Sequence, residues 1–310
     1  MGAASLNPSA GPGRAEAYAS WRAWFEERRE RVNAAISEHV GRLKSAATPH
    51  TRLLAAVEYS LLQPGKRLRP VLVLESCRLC GGRESAALPA ALAGGFIHTF
   101  SLIHAPPPAM DDDDLRRGQP TSHKVFGEAL AILAGDWLLA DAFELLASAG
   151  PGGSAAELVR TLAGGAESMV IGQAADIEGE GQAPHEERVE FIHQHKTARL
   201  METCGRLGAL CAGAEAERVA RLGEFGLRLG LAFQIADDML DQTGSTARLG
   251  KRAGKDDQAA KQTFPAVFGA EESLRRGRLE VDAALRALEP FAGEADALRG
   301  LARYVIDRDH

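Results

Sequence analysis

The chain predicts an all-α fold in a single domain, on three observations. Ala and Leu dominate from near Ala15 to the C-terminus. Apolar residues recur at helical spacing, and β-branched residues never gather into the alternation of a strand. Gly and Pro clusters cut the text into helix-sized pieces, at Pro64-Gly65, Gly81-Gly82, Pro106 to Pro108, Gly150 to Gly153, Gly179 to Gly181 and Gly250 to Gly254. With no fixed-period repeat and no long linker, the reading is a bundle of about ten helices around a central cavity, too many for a four-helix bundle.

In chain order, residues 1–14 are small residues with Gly and Pro and carry no apolar core of a signal peptide. They are expected to form a disordered tail, with the domain covering 15–310. Leu53, Leu54, Val57, Leu61 and Leu62 mark one helical stripe. Val125 to Leu146 reads as a long apolar helix and Leu222 to Leu240 as another. The last forty or so residues, from Ala270, read as amphipathic helices covering one side of the cavity.

The chain has 310 residues, 45% of them hydrophobic, enough for a substantial core. A net charge of −6 excludes the basic footprint of a general nucleic-acid binder, so any polyanionic ligand needs a local cationic cluster. No apolar run reaches the ~18 residues of a membrane span. Cys77 and Cys80 form a CxxC, but Cys204 and Cys211 are seven apart and no His stands at finger spacing. Buried free thiols in a reducing cytoplasm fit better than a zinc or redox site.

Four motifs carry chemistry. Gly65-Lys66-Arg67-Leu68-Arg69-Pro70 puts three cations ahead of a helix that can start at Pro70; such a turn can grip phosphate or simply be solvated. Asp111 to Asp114 are four adjacent carboxylates followed by Arg116 and Arg117, text that suits magnesium meeting diphosphate as well as an exposed loop. In Gln234-Ile235-Ala236-Asp237-Asp238-Met239-Leu240-Asp241 the setting decides. Asp237 and Asp241 share a helix face within an apolar helix, a costly arrangement unless a cation binds there. Lys196-Thr197, Lys251 and Lys261 supply further cations, each unremarkable alone.

Taken together, the strings GKRLRP, SLIH, PAMDDDDLRRGQPTSHKVFGE, GDWLLADAFELL, GQAADI, HKTARL, FQIADDMLD and LGKRAGKDDQAAKQTFPAVFG resemble the trans-isoprenyl diphosphate synthases, the polyprenyl synthetases that include farnesyl and geranylgeranyl diphosphate synthases. The resemblance runs from about Arg52 to Gly269 and more loosely to Tyr304. It implies a single-domain isoprenoid synthase bundle, a cytoplasmic homodimer, and up to three Mg2+ ions on the allylic diphosphate. Lys66, Arg69, His98 and Arg117 would hold isopentenyl diphosphate. Arg116, Lys196 and Lys251 would hold the allylic diphosphate, with Lys261 near. Thr197 and Gln234, with Lys196, would line the reacting centre, and Asp111, Asp237, Asp238 and Asp241 would ligate metal.

One stretch departs from the family. Its members usually read HDDLPAMD where this chain reads His104-Ala105-Pro106-Pro107-Pro108-Ala109-Met110-Asp111. Two leading aspartates become Ala105 and Pro106, neither able to ligate metal, and a leucine becomes Pro107. Pro106 and Pro107 should end the helix near His104. In the family Asp112 to Asp114 lie just past the site. Weakened magnesium binding and impaired turnover follow. Phe100, five before Ala105, and Ser101 stand where bulk limits product length, which favours a C15 product with C20 second. Two other readings compete: a catalytically silent subunit that binds prenyl diphosphates, and a terpene cyclase, against which the isopentenyl set speaks.

Overall fold

The computed structural model describes residues 12–46, 51–116, 118–148, 154–243 and 262–307. Arg117, Lys251 and Lys261, and the expected tail up to residue 11, lie outside the described residues.

The bundle is helical throughout, with one two-residue hairpin. The elements are α1 (Pro12–Ser45), α2 (Thr51–Leu62), α3 (Leu68–Leu79), α4 (Glu84–His104), β1 (Leu115–Arg116), β2 (Gln119–Pro120), α5 (Ser122–Phe126), α6 (Glu128–Ala147), α7 (Ala155–Gly179) and α8 (Glu186–Ile192). A π-helical turn (His193–Ala198) then runs into α9 (Arg199–Cys211). After it come α10 (Ala216–Thr243), α11 (Phe264–Phe268), α12 (Ala270–Ala287), a 3-10 turn (Glu289–Ala295) and α13 (Asp296–Asp307). α9 is central, packed against α3, α4, α7 and α10; α6 closes against α4, and α12 lies along α10. α1 starts three residues before the expected Ala15 and crosses α3 and α4 to meet α13.

Local chemistry explains the boundaries. α4 stops at His104 because Pro106 and Pro107 cannot continue its hydrogen-bond ladder. α7 starts on a Ser154 cap that accepts from the Glu157 amide at 3.1 Å. The apolar text expected as one helix from Val125 to Leu146 is two helices. Gly127, at φ 87°, breaks it, a conformation that β-carbon sterics deny to most residues. Arg67 is also left-handed, at φ 55°. Its guanidinium holds that turn by donating to Asn33 Oδ1 (2.9 Å), Leu61 O (2.7 Å) and Gln63 O (2.9 Å).

Among the described residues α4 alone is long and apolar enough to cross a membrane by composition. Most of its residues are buried against its neighbours, as in a core helix. Cys77, Cys204 and Cys211 are buried free thiols and Cys80 is half-buried. Burial pushes Cys77 up to about 11 and Cys204 and Cys211 up to about 12, so the reactive thiolate is suppressed.

A buried pair pins α1 to α6: His39 Nε2 lies 2.7 Å from Asp141 Oδ2, with the His39 ring packed on Phe96 at 5.2 Å. Asp141→Ala leaves His39 buried without its partner and should cost about 3 kcal/mol in urea unfolding. An unchanged denaturation midpoint would show the pair contributes nothing.

Candidate active site

A cavity of about 970 Å³ opens between the helices. Its lining takes Lys66 from the α2–α3 turn, Arg69 from α3, His98, Phe100, Ser101 and Ala105 from α4 and its end, and Asp111, Asp113 and Arg116 from the following loop. Gln173 and Asp176 of α7, Lys196 and Thr197 of the π turn, and Gln234, Asp237 and Asp238 of α10 complete the part that matters here. Every site residue expected from sequence within the described chain therefore faces this one space, except Asp241, which is buried one turn beyond Asp237. Lys196 and Thr197, expected to follow a helix, sit inside a continuous one, at its π-helical turn.

The polar chemistry of the α10 wall is directional. Asp238 is 6% exposed and can only accept while it is ionised. Its Oδ2 accepts from the Phe264 amide at 2.9 Å and lies 3.0 Å from His193 Nε2; its Oδ1 accepts from Gln234 Nε2 at 3.0 Å. That fixes the Gln234 amide, so Oε1 faces Thr197 and accepts its hydroxyl proton at 2.8 Å. Thr197 then presents oxygen lone pairs, not its proton, to the rest of its surroundings. His193 stacks on Phe264, centroids 4.7 Å apart, which ties α11 to the π turn through the same carboxylate.

The cations are set differently. Lys66 Nζ stands 5.9 Å from the centroid of Phe233. Arg69 Nε is buried and makes no hydrogen bond among the described residues. Burial pulls the Arg69 guanidinium below its ordinary value, while Cys204 and Asp237 pull the other way. Lys196 Nζ donates to Asp176 Oδ2 at 2.6 Å.

The altered loop folds back on itself. The Asp111 amide donates to Ala105 O at 2.8 Å and the Asp113 amide to Pro106 O at 2.9 Å. Asp112, at φ 49°, is exposed, and Asp114 pairs with Lys124 at 2.7 Å. Asp111 and Asp113 are the two of the four that line the cavity. Asp113 belongs to the four-carboxylate motif without being assigned as a ligand, Gln173 and Asp176 stand in the GQAADI string without an assigned role, and His193 was not singled out.

Among the described residues no three His, Cys, Asp or Glu side chains converge into a ready-made metal cage. Magnesium does not need one, since it commonly takes one or two protein carboxylates and completes its shell with phosphate and water. Asp237 on α10 and Asp111 with Asp113 on the loop line the cavity and fit that pattern; both Asp238 oxygens accept from protein donors.

Along the chain at the floor, Phe100 meets His104 edge-on at 4.7 Å, and His104 Nε2 lies 2.9 Å from Ile132 O. Ser101 turns its hydroxyl to His98 O at 2.8 Å.

A helical bundle whose cavity joins loop carboxylates, an acidic helix face and cations from four separate elements defines a class of enzyme that handles diphosphates beside an apolar chain. The chain belongs to the polyprenyl synthetase family, whose model matches residues 50–293, and is by family a trans-prenyltransferase. It is 42% identical over 293 residues to a farnesyl diphosphate synthase of Geobacillus stearothermophilus, covering 93% of this chain and 97% of that one. It is 46% identical over 262 residues to a chloroplastic geranylgeranyl pyrophosphate synthase of Catharanthus roseus, covering 82% and 73%. Among solved structures, a Helicobacter pylori geranyltransferase complexed with magnesium and isoprenyl diphosphate superposes with a TM-score of 0.78 at 28% identity, covering 96% of this chain and 98% of that one.

The two adjacent aspartates of α10 should separate on mutation. Asp238→Ala removes the common acceptor of three elements and should lower the thermal midpoint by several degrees, by roughly 2 kcal/mol or more. Asp237→Ala should lower the midpoint by less and reduce magnesium-dependent turnover more than affinity for an allylic diphosphate. Equal thermal losses in both would remove this division of roles.

Proposed function

We propose that the protein is a short-chain prenyltransferase that condenses isopentenyl diphosphate with dimethylallyl or geranyl diphosphate, giving farnesyl diphosphate as the main product and geranylgeranyl diphosphate as the next longer one. The observation that carries the reading is the pairing, in one cavity, of a Lys66–Arg69–His98 group with an Arg116–Lys196 group beside Asp111 and Asp237. Two cationic groups suit two diphosphates; a cyclase with one substrate needs only one. Arg117, Lys251 and Lys261 belong to the same two groups in this reading.

The residues act by charge. Arg69, whose Nε makes no hydrogen bond among the described residues, and Lys66 bind and orient isopentenyl diphosphate. Arg116 and Lys196 stabilise the departing allylic diphosphate. Magnesium, when bound through Asp111 and Asp237, adds Lewis-acid stabilisation of that leaving group. Thr197 offers lone pairs beside the reacting centre, which favours developing positive charge on the allylic carbon. The isopentenyl double bond attacks that carbon, and the proton then lost goes to released diphosphate. Phe100, braced by His104, is the plug that limits the growing chain.

Ala105 and Pro106 remove two carboxylates from the loop wall, so turnover is impaired relative to relatives that keep them. That same loss favours a second reading, a silent subunit that binds prenyl diphosphates without joining them. Incubation with isopentenyl diphosphate, magnesium and in turn C5, C10 and C15 allylic diphosphates, read by mass spectrometry, separates the two. The double change Ala105→Asp and Pro106→Asp should raise turnover by about 100-fold or more, as several kcal/mol of leaving-group stabilisation return. Phe100→Ala in that background should lengthen the product. No product from either form leaves the binding reading.

A homodimer is also proposed. Ile132 and Leu133 of α6 and Ile171 of α7, two helices that pack together, are about half exposed although large and apolar. The protein should elute at twice the chain mass by light scattering, and Leu133→Glu should shift it toward monomer. A monomer at micromolar concentration would end the proposal.

A further inference from the structure

The π turn that carries Lys196 and Thr197 has no stability of its own to speak of. A π-helical turn is wider than an α-turn and persists only where its surroundings hold it. Here one face of α7 does so. Ser168, Gly172 and Asp176 recur every four residues and meet the turn at three successive points.

Ser168 Oγ lies 2.9 Å from His195 Nδ1 and also donates to His195 O at 3.4 Å. The His195 ring stacks on Phe191, centroids 4.2 Å apart, and burial, with Arg199 second, pulls its pKa down, so the ring faces Ser168 in its neutral form. One turn along, Gly172 admits the backbone itself. A β-carbon there would stand 2.2 Å from Lys196 N and 2.6 Å from its Cα, atoms that cannot rotate aside. A further turn along, buried Asp176 takes the Lys196 ammonium at 2.6 Å. On the opposite side Gly230 of α10 receives Ala198, whose Cα would lie 2.6 Å from an added β-carbon. The turn is clamped between two glycines, with a hydroxyl and a carboxylate fixing its rotation.

We infer that Ser168, Gly172 and Asp176 are positioning residues, a rail on α7 that sets the height and rotation of the π turn and so aims the Lys196 ammonium and the Thr197 oxygen at the allylic diphosphate. The inference rests on the prenyltransferase reading. It makes Asp176 a holder of Lys196: it keeps the ammonium extended along the cavity wall, where a diphosphate oxygen can share it.

The test is calorimetric binding of two probes to the full chain with magnesium: geranyl thiolodiphosphate, an allylic analogue slow to ionise, and isopentenyl diphosphate. The isopentenyl group, Lys66 with Arg69 and His98, comes from the α2–α3 turn, α3 and α4 and reports the integrity of the rest of the cavity. Gly172→Ala and Asp176→Asn should each weaken the thiolodiphosphate by about tenfold or more, with isopentenyl diphosphate held within roughly twofold. Ser168→Ala should move in the same direction by less. If Gly172→Ala loses both probes through unfolding, the near-isosteric Asp176→Asn decides. Equal binding of the thiolodiphosphate by wild type and Asp176→Asn, or equal weakening of both probes, would overturn the rail. Wild type that binds neither probe would instead remove the prenyl-diphosphate reading, and the rail with it.

Discussion

A carboxylate buried in a helical bundle stays charged only if donors surround it, and at Asp238 that requirement organises the site. Its two oxygens draw in an amide from α11, a side chain from within α10 and a histidine from the π turn. Because the carboxylate accepts and cannot donate, the polarity of the chain of contacts is fixed outward. Gln234 must give its amide hydrogen to Asp238 and its oxygen to Thr197, and Thr197 must spend its proton on Gln234. The lone pairs that remain on Thr197 are a consequence of a charge two hydrogen bonds away. The same carboxylate also locates Phe264, and through the Phe264–His193 stack it fixes where the π turn begins.

Much of this could be read from residue order. The ends of α4 and α2, the burial of α10 and the shared face of Asp237 and Asp241 follow from proline chemistry and helical period, and they stand where expected. The motifs carried the family because several of them place charges at helix ends or on helix faces. What stayed hidden was of another kind. Gly127 reads as one small residue in an apolar run, and only its left-handed backbone shows that it divides α5 from α6. The π turn leaves no periodic signature, since a single extra residue in a helix looks like noise in a 3.6-residue pattern. Asp238 beside Asp237 reads as a second ligand from sequence. Its commitment to protein donors depends on Phe264 and His193, neither of which neighbours it in the chain.

The altered loop keeps an acidic wall while changing which part of the chain supplies it. Pro106 and Pro107 have no amide hydrogens, so the chain closes by sending the amides of Met110, Asp111 and Asp113 back to the carbonyls of Ala105 to Pro107. The left-handed Asp112 between them turns Asp111 and Asp113 toward the cavity while Asp112 faces water. Carboxylates remain at the mouth, but they come from the far side of the loop rather than from the last turn of α4. A ligand set built on such a loop is held less firmly than one on a helix end.

Binding and turnover therefore part company in this cavity. The cations proposed to recognise diphosphate sit on α3, the π turn and β1, outside the altered residues themselves. Removing carboxylates from a cationic site leaves its attraction for a polyanion intact or increases it, because like-charge repulsion with the ligand falls. What those carboxylates supply is the means to neutralise the leaving group as its bond breaks, which matters in the transition state and little in the ground state. A chain altered only at this wall is thus expected to keep substrate affinity while losing rate. An impaired synthase and a silent prenyl-diphosphate binder are then two points on one scale in the proposed reading, set by how much metal Asp111, Asp113 and Asp237 would hold.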